Sequence, residues 1–162
     1  IAFRALKQLV REEMDVHLDI IGDGFFEEIY KEKMCEEGVQ DYVTFLGRKS
    51  KEEIAEYLIN EHALLISSEL ESFAIPGVEA LASGMRVIST DCLGPSEFVD
   101  EKCGCLCKVN DPDDMVRAIK TVYEKYDEYD RKYLEGVADK FSEENVIKKA
   151  REIYERAQKL DE

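Results

Sequence analysis

The sequence predicts an α/β fold, a parallel sheet covered by helices on both faces and followed by a helical tail. Three observations carry this. Short β-rich runs alternate with helical patterns through the first 110 residues. The runs are apolar enough for burial on both faces, as strands of a parallel sheet are. From Asp111 onward the pattern becomes helical only.

Taken in order, Phe3, Leu6, Leu9, Val10 and Met14 recur at helical spacing over residues 1–14. Val16–Ile21 alternates and then runs apolar into Gly22-Asp23-Gly24, a strand and a tight turn. A helix from Phe25 to about Glu37 places Phe26, Ile29, Tyr30 and Met34 on one face, and Gly38 stops it. Tyr42–Leu46 is the next strand, ended by Gly47. Ser50-Lys51-Glu52-Glu53 is a capping box that opens a helix through Leu58–Ile59. Ala63–Ile66 reads as a buried strand, Ser67–Ser72 as a polar turn, and Pro76–Ser83 as a helix that starts near Ile75–Pro76, with Pro76 suited to its first position and Gly84 as its stop. Arg86–Thr90 is a strand, Asp91–Pro95 a loop, Ser96–Val99 a short helical segment and Gly104–Val109 the last strand. Asp111 can cap a helix that Pro112 opens, with Met115, Val116, Ile119, Val122, Tyr123 and Tyr126 on its apolar face. A helix over Asp130–Lys140 follows. Ser142 caps a last one, on which Val146, Ile147, Ala150, Ile153, Tyr154, Ala157 and Leu160 face inward. The architecture is Rossmann-like, with its ligand crevice at the strand carboxyl ends, where residues 22–24, 46–49, 67–74 and 91–95 converge.

With 162 residues the chain makes one domain or most of one. It opens on Ile1, directly in a helical pattern, and is expected to be a piece of a longer protein. Its apolar runs are a few residues long, so no transmembrane segment is expected. The net charge is −15, with 22 acids against 11 bases in residues 1–110 and 15 against 11 in the rest. Such a field disfavours nucleic acid and anionic lipid as partners.

Five cysteines, three of them in the CxCxC of Cys103, Cys105 and Cys107, lack zinc-ligand spacing. Alternation puts those three on one face of a strand as small apolar side chains, and no metal site is expected. Asp111-Pro112-Asp113 reads as a helix cap rather than a metal-binding DxD. The GDGF of residues 22–25 is not a GxGxxG, so dinucleotide oxidoreduction has little support. His62 reads as structural.

The turn from β-run to helix at Ser67–Ile75 combines free backbone N–H groups with the positive end of a helix dipole, which favours an anion. Glu71 lies in the turn and Glu79 in the helix. They are either solvated surface acids or acceptors for the hydroxyls of a ligand whose phosphates sit on the intervening N–H groups.

The stretch ELESFAIPGVEALASGMRVISTDCLGPSEFV (residues 69–99) resembles the donor-binding motif of the retaining nucleotide-sugar glycosyltransferases of family 4, the glycosyl transferases group 1 domain, which has the GT-B fold. The match falls on Ser68, Glu71, Phe73, Glu79, Ala80, Ala82, Gly84, Val87, Ile88, Gly94 and Glu97, with IIGDG and VTFLG upstream in the family's order. The resemblance implies one half of a GT-B fold, a nucleotide-sugar donor domain over residues 1–162, truncated at its N-terminus and without the acceptor domain. It implies that Glu79 binds the ribose and that Glu71 contacts the donor sugar as the catalytic residue. Ser72, Phe73, Ala74 and Ile75 would hold sugar and phosphate oxygens through backbone N–H groups. Gly22 and Gly24 would admit the pyrophosphate, and Leu46 to Arg48 would line the base.

The expected reaction is transfer, with retention, from a nucleoside-diphosphate sugar to an acceptor hydroxyl in surface polysaccharide or glycoconjugate synthesis. It would need no metal or other cofactor. A UDP-sugar is the donor by analogy, a glycan or lipid-linked glycan the acceptor, and the location cytoplasmic or peripheral at the membrane. The fragment alone should be inactive.

The family's glycines beside the motif Phe are Ser72 and Ala74 here, its Pro before the next strand is Arg86, and its Gly-Gly is Leu93-Gly94. Its pyrophosphate-neutralising Arg and Lys would precede Ile1. A non-catalytic module on the same fold, with a degenerate donor site, is the alternative. A receiver-type domain would need an acidic cluster that the sequence lacks.

Overall fold

The structure, a computed structural model, describes residues 1–158. In chain order its elements are α1 (Ala2–Arg11), β1 (Leu18–Ile21), α2 (Glu27–Glu37), β2 (Val43–Gly47), α3 (Lys51–Asn60), β3 (Ala63–Ile66), α4 (Ile75–Ala82), β4 (Arg86–Thr90), β5 (Gly104–Cys107), α5 (Pro112–Glu124), α6 (Arg131–Asp139) and α7 (Glu143–Gln158). Every expected strand and long helix is present, most with bounds shifted by a residue or more, while the short helical segment expected at Ser96–Val99 is a single 3-10 turn at Gly94–Glu97. Pro76 takes the second position of α4 rather than the first, because the helix opens at Ile75.

All strand pairs are parallel, but the strands form two sheets instead of one, β1-β2 and β3-β4-β5. β4 is the middle strand of the larger sheet, and its alternation divides the core. Val87 faces a layer built from α3, α4 and α6, with Leu58, Leu81, Leu134 and Val137. Ile88 faces α1 and α5, with Ala5, Leu9, Met115 and Val122. A third, smaller cluster packs Leu6 of α1 on Val39 and Val43 beside β1 and β2. Thus α1 rests on both sheets. A cavity of about 650 Å³ beneath it is bounded by Leu18 of β1 and by Ala63 and Leu65 of β3. The amino ends of β1 and β3, Asp15–Leu18 and Glu61–Ala63, both line this cavity, so the two sheets run in the same direction.

Three expectations about packing change. The apolar face assigned to α2 is mostly in solvent. Phe26, Ile29 and Tyr30 are exposed, and only Met34 packs inward. The helix begins at Glu27, which leaves Phe25 and Phe26 stacked edge-on in the preceding turn at 5.4 Å, and a two-stranded sheet offers little surface to cover the rest. α7 buries no side chain, and Val146, Ile147, Ile153 and Tyr154 are exposed; Leu160 lies outside the described residues.

The three cysteines do not share a face. Cys103 belongs to the turn before β5, where its Sγ donates to the Phe98 carbonyl at 3.3 Å, and it packs with Val87. Cys105 and Cys107 face the other layer with Ile88. Burial pushes the Cys103 thiol up to about 12 and the Cys107 thiol up to about 11. Both are therefore protonated apolar groups near neutral pH.

Candidate functional site

Because the strands are parallel, the segments that leave β1, β2, β3 and β4 gather at one edge, the usual place for a ligand in an α/β sheet. The segment after β3 is held there on two sides. Thr90 Oγ1, at the end of β4, donates to the Ser68 carbonyl at 2.6 Å. Glu71 N–H donates to the Cys92 carbonyl at 3.1 Å, and Gly94 N–H donates to the Glu71 carbonyl at 2.8 Å. This short parallel bridge straps the turn to the Asp91–Pro95 loop. The approach is so close that a Cβ on Gly94 would lie 2.5 Å from the backbone N and Cα of Phe73. No larger residue fits without displacing the turn.

Phe73 anchors the other side. Its ring meets Phe98 at 5.9 Å and Phe141 at 5.1 Å, both edge to face. Ala74 then caps α4 in the left-handed region, φ 67°, where an L side chain is strained. Leu93 adopts φ 84° across the bridge. Two of the positions where the resembling motif carries glycine thus have backbone geometry that suits glycine, though this chain places Ala and Leu there. Ser72, the third, has no positive φ, and Arg86, where the motif has Pro, opens β4 away from the turn. Its guanidinium stacks on Tyr126 at 3.8 Å and donates to the Tyr126 carbonyl at 2.9 Å, packing that Pro could not supply.

With the turn so fixed, the amides of Phe73 and Ala74 point at one place, and the Glu71 carboxylate occupies it. Its Oε1 accepts from Phe73 N–H at 3.5 Å and from Ala74 N–H at 3.3 Å, long bonds at the positive end of α4. The residues predicted to bind an anion therefore already bind one, supplied internally. A ligand oxygen taking these two amides would free the carboxylate to turn toward that ligand. Ser72 and Ile75 are exposed beside them, and Glu79 is exposed one turn along α4 from Ile75, on the same face.

The remaining predicted residues belong to the other sheet. Gly22 follows β1 with φ 134° and donates to the Gly47 carbonyl at 2.9 Å, tying the ends of β1 and β2. Gly24 and Arg48 are exposed, and Leu46 is half-buried at the end of β2. The structure thus gathers Glu71, Ser72, Phe73, Ala74, Ile75 and Glu79 in one group and Gly22, Gly24, Leu46 and Arg48 in a second. Both groups are at the carboxyl edge, on separate sheets. None of them lines the cavity beneath α1.

A cleft of about 420 Å³ opens at that edge instead, lined by Ile1, Tyr30, Ser67, Ser68, Glu69 and Asn110. Ser67, Ser68 and Glu69 belong to the turn that the sequence placed at the crevice, whereas Ile1, Tyr30 and Asn110 were not singled out as site residues. The signal for Ile1 and Asn110 is position alone, before α1 and after β5, and periodicity assigns Tyr30 only to the apolar face of α2. The Asp111-Pro112-Asp113 segment is a cap, as expected: Asp111 Oδ1 accepts from Asp114 N–H at 3.0 Å and Pro112 opens α5. His62 is exposed and stacks on Tyr126 at 5.4 Å. Glu97 ends the single turn Gly94–Glu97 in solvent. Among the described residues, no helix is long and apolar enough to cross a membrane.

The profile of the family described as glycosyl transferases group 1 matches residues 1–140. An uncharacterized glycosyltransferase of Methanocaldococcus jannaschii is 29% identical over 157 residues, covering 89% of this chain and 42% of its own length. The lipopolysaccharide outer core galactosyltransferase WaaB, in its apo form, superposes with a TM-score of 0.80 at 25% identity over 96% of this chain and 44% of WaaB. The pneumococcal O-GlcNAc transferase GtfA, solved with UDP and GlcNAc, superposes with a TM-score of 0.78 at 21% identity over 96% of this chain and 32% of GtfA. The chain spans less than half the length of each of these relatives.

Proposed function

Since this chain belongs to the glycosyl transferases group 1 family and has the fold of one half of a GT-B enzyme, we propose that it is the donor-binding domain of a transferase that moves a sugar from a nucleoside diphosphate to an acceptor hydroxyl. The observation that carries this reading is the Glu71 carboxylate resting on the Phe73 and Ala74 amides, with Glu79 exposed on the next turn. The donor's oxygens take those amides, Glu79 accepts from the ribose hydroxyls, and Glu71 faces the sugar at the reacting centre. Gly22 and Gly24 admit the pyrophosphate, and Leu46 and Arg48 border the base.

The diphosphate leaving group gains charge as its bond to the sugar breaks, and N–H groups fixed before the reaction stabilise that charge without reorganising. The transfer proceeds with retention and without a bound metal. UDP is the nucleotide best supported, because GtfA was solved with it. The acceptor, a glycan or lipid-linked glycan, is held by the part of the full-length protein that this chain does not include. The reaction belongs to glycoconjugate synthesis on the cytoplasmic side of a membrane, and residues 1–162 alone are inactive.

The test is donor titration of the full-length protein with UDP, GDP and ADP sugars, repeated on Glu79→Gln and Glu71→Gln. Loss of a charged hydrogen bond should weaken donor binding by about tenfold or more in Glu79→Gln. Glu71→Gln should lower turnover by about 100-fold with a smaller effect on binding. Wild-type binding and turnover in both variants would favour the second reading, a non-catalytic module on the same fold. The strained, non-glycine Ala74 is the feature that speaks for that reading.

A further inference from the structure

Leu93 stands directly opposite Glu71 in the short parallel bridge that straps the turn to the Asp91–Pro95 loop. Its backbone, φ 84° and ψ −88°, is a tight-turn conformation strained for any L residue. Its neighbours fix it there. Cys92 is buried and its carbonyl accepts from Glu71 N–H, while Gly94 N–H donates to the Glu71 carbonyl. Ser96 donates to the Leu93 carbonyl from both its N–H, at 3.1 Å, and its hydroxyl, at 2.5 Å. The side chain so held adds nothing to the core, since it is 66% exposed and packs in none of the three clusters. Leu70, next to Glu71, is 74% exposed, and Ile75, at the start of α4, is 63% exposed. A single exposed leucine is ordinary. A strained one, bridged to the carboxylate residue of the candidate site and joined by two more large apolar side chains on the strapped turn, points to a ligand that covers it.

We propose that Leu93 determines specificity at the donor site, selecting a transferred sugar that carries a methyl group over one that carries only hydroxyls. The inference rests on the donor reading, in which Glu71 faces the sugar. Hydroxyls of that sugar are served by the Glu71 carboxylate and by the Phe73 and Ala74 amides that it now occupies. Leucine can neither donate nor accept, so a hydroxyl desolvated against it loses its water without gaining a partner. The substituents of a plain hexose ring are hydroxyls or bear one. The part of the sugar that meets Leu93 is therefore a methyl, that of an acetamido group or that of a deoxy sugar. Glycine, which the resembling motif has at this position, offers neither the apolar contact nor the penalty against a hydroxyl.

Leu93→Gly in the full-length protein tests it. Glycine relieves the strained backbone and removes only an exposed side chain, so the variant should fold, with a urea midpoint no lower than that of wild type by more than its added chain freedom allows. The donors are matched pairs that differ in one substituent, UDP-N-acetylglucosamine against UDP-glucose and GDP-rhamnose against GDP-mannose. In one pair the wild type should favour the methyl-bearing donor by about tenfold or more in kcat/KM, and the pair that responds tells an acetamido from a deoxy methyl. That preference should shrink to within about threefold in Leu93→Gly and persist in Leu93→Met, which keeps the apolar bulk. No preference in either wild-type pair overturns the proposal. So does a preference that glycine leaves intact, or an equal loss on both members of a pair, which would reduce Leu93 to a general contact. Titration with UDP, GDP and ADP, which carry no sugar, separates the two failures. Nucleotide binding without the methyl preference overturns this inference alone, whereas a wild type that binds none of the three nucleotides and none of the four donors overturns the donor reading with it.

Discussion

At Gly94 the chain has no freedom to change. A methyl group there would meet the Phe73 backbone at 2.5 Å, against a turn already strapped by the Glu71–Leu93 bridge. Gly94→Ala should destabilise the protein by about 3 kcal/mol, seen as a lower urea midpoint, and should also weaken donor binding because it displaces the Phe73 amide. Ala74 is the converse case. Glycine relieves its left-handed backbone but gives up a buried methyl, so Ala74→Gly should leave stability within about 1 kcal/mol of wild type. Ala74→Val, a β-branched residue at φ 67°, should cost about 2 kcal/mol or more. These residues were legible in the sequence as a motif, and the anion preference of the turn followed from its position before a helix. What could not be read was that Glu71 itself fills the anion position, because that depends on the Phe73, Phe98 and Phe141 rings meeting across 68 residues of chain.

Among the elements, caps were the most legible features and faces the least. The Ser50 capping box and the Asp111 cap are both present as spelled, since each involves residues three apart in one chain segment. Asp111→Ala should therefore cost about 1 kcal/mol of stability and leave the turnover of the full-length protein unchanged. A collapse of turnover at constant fold, measured by circular dichroism beside the assay, would instead return the DxD reading. Faces failed where the partner surface was missing from the argument. Periodicity assigns an apolar side to α2 and α7, but it does not supply a surface to bury it. Alternation likewise assumed that Cys103 continued β5, whereas the turn that includes Asp100 reverses its side.

For the molecule as a whole, charge and pH act in opposite senses on binding and on stability. Most of the excess of acids, 11 of 15, lies in residues 1–110, which also contain the candidate site. An anionic donor approaches against that field, so its affinity for the full-length protein should rise, or at least not fall, as salt increases from 10 to 150 mM, in a titration where both concentrations are set by the experimenter. A steep loss of affinity with salt would point to cationic recognition. Stability responds to alkali through the buried thiols. The folded state keeps Cys103 protonated up to about 12, while in the unfolded chain it ionises from its ordinary value of 9.0. Its contribution is complete below pH 9.0 and is lost between there and about 12, because the unfolded state then binds fewer protons. The urea midpoint should fall above pH 9, and Cys103→Ala should flatten that slope by up to about 1.4 kcal/mol per pH unit.

The phenylalanine trio also gives the tail helix a mechanical connection. Phe141 stands at the junction of α6 and α7, and its ring touches Phe73, the residue whose amide faces the anion position. α7 buries nothing along its own length, and Phe141, packed against the core just before it, is where that end of the chain is held. The tail helix is thereby joined to the candidate site through one aromatic contact, that of Phe141 with Phe73.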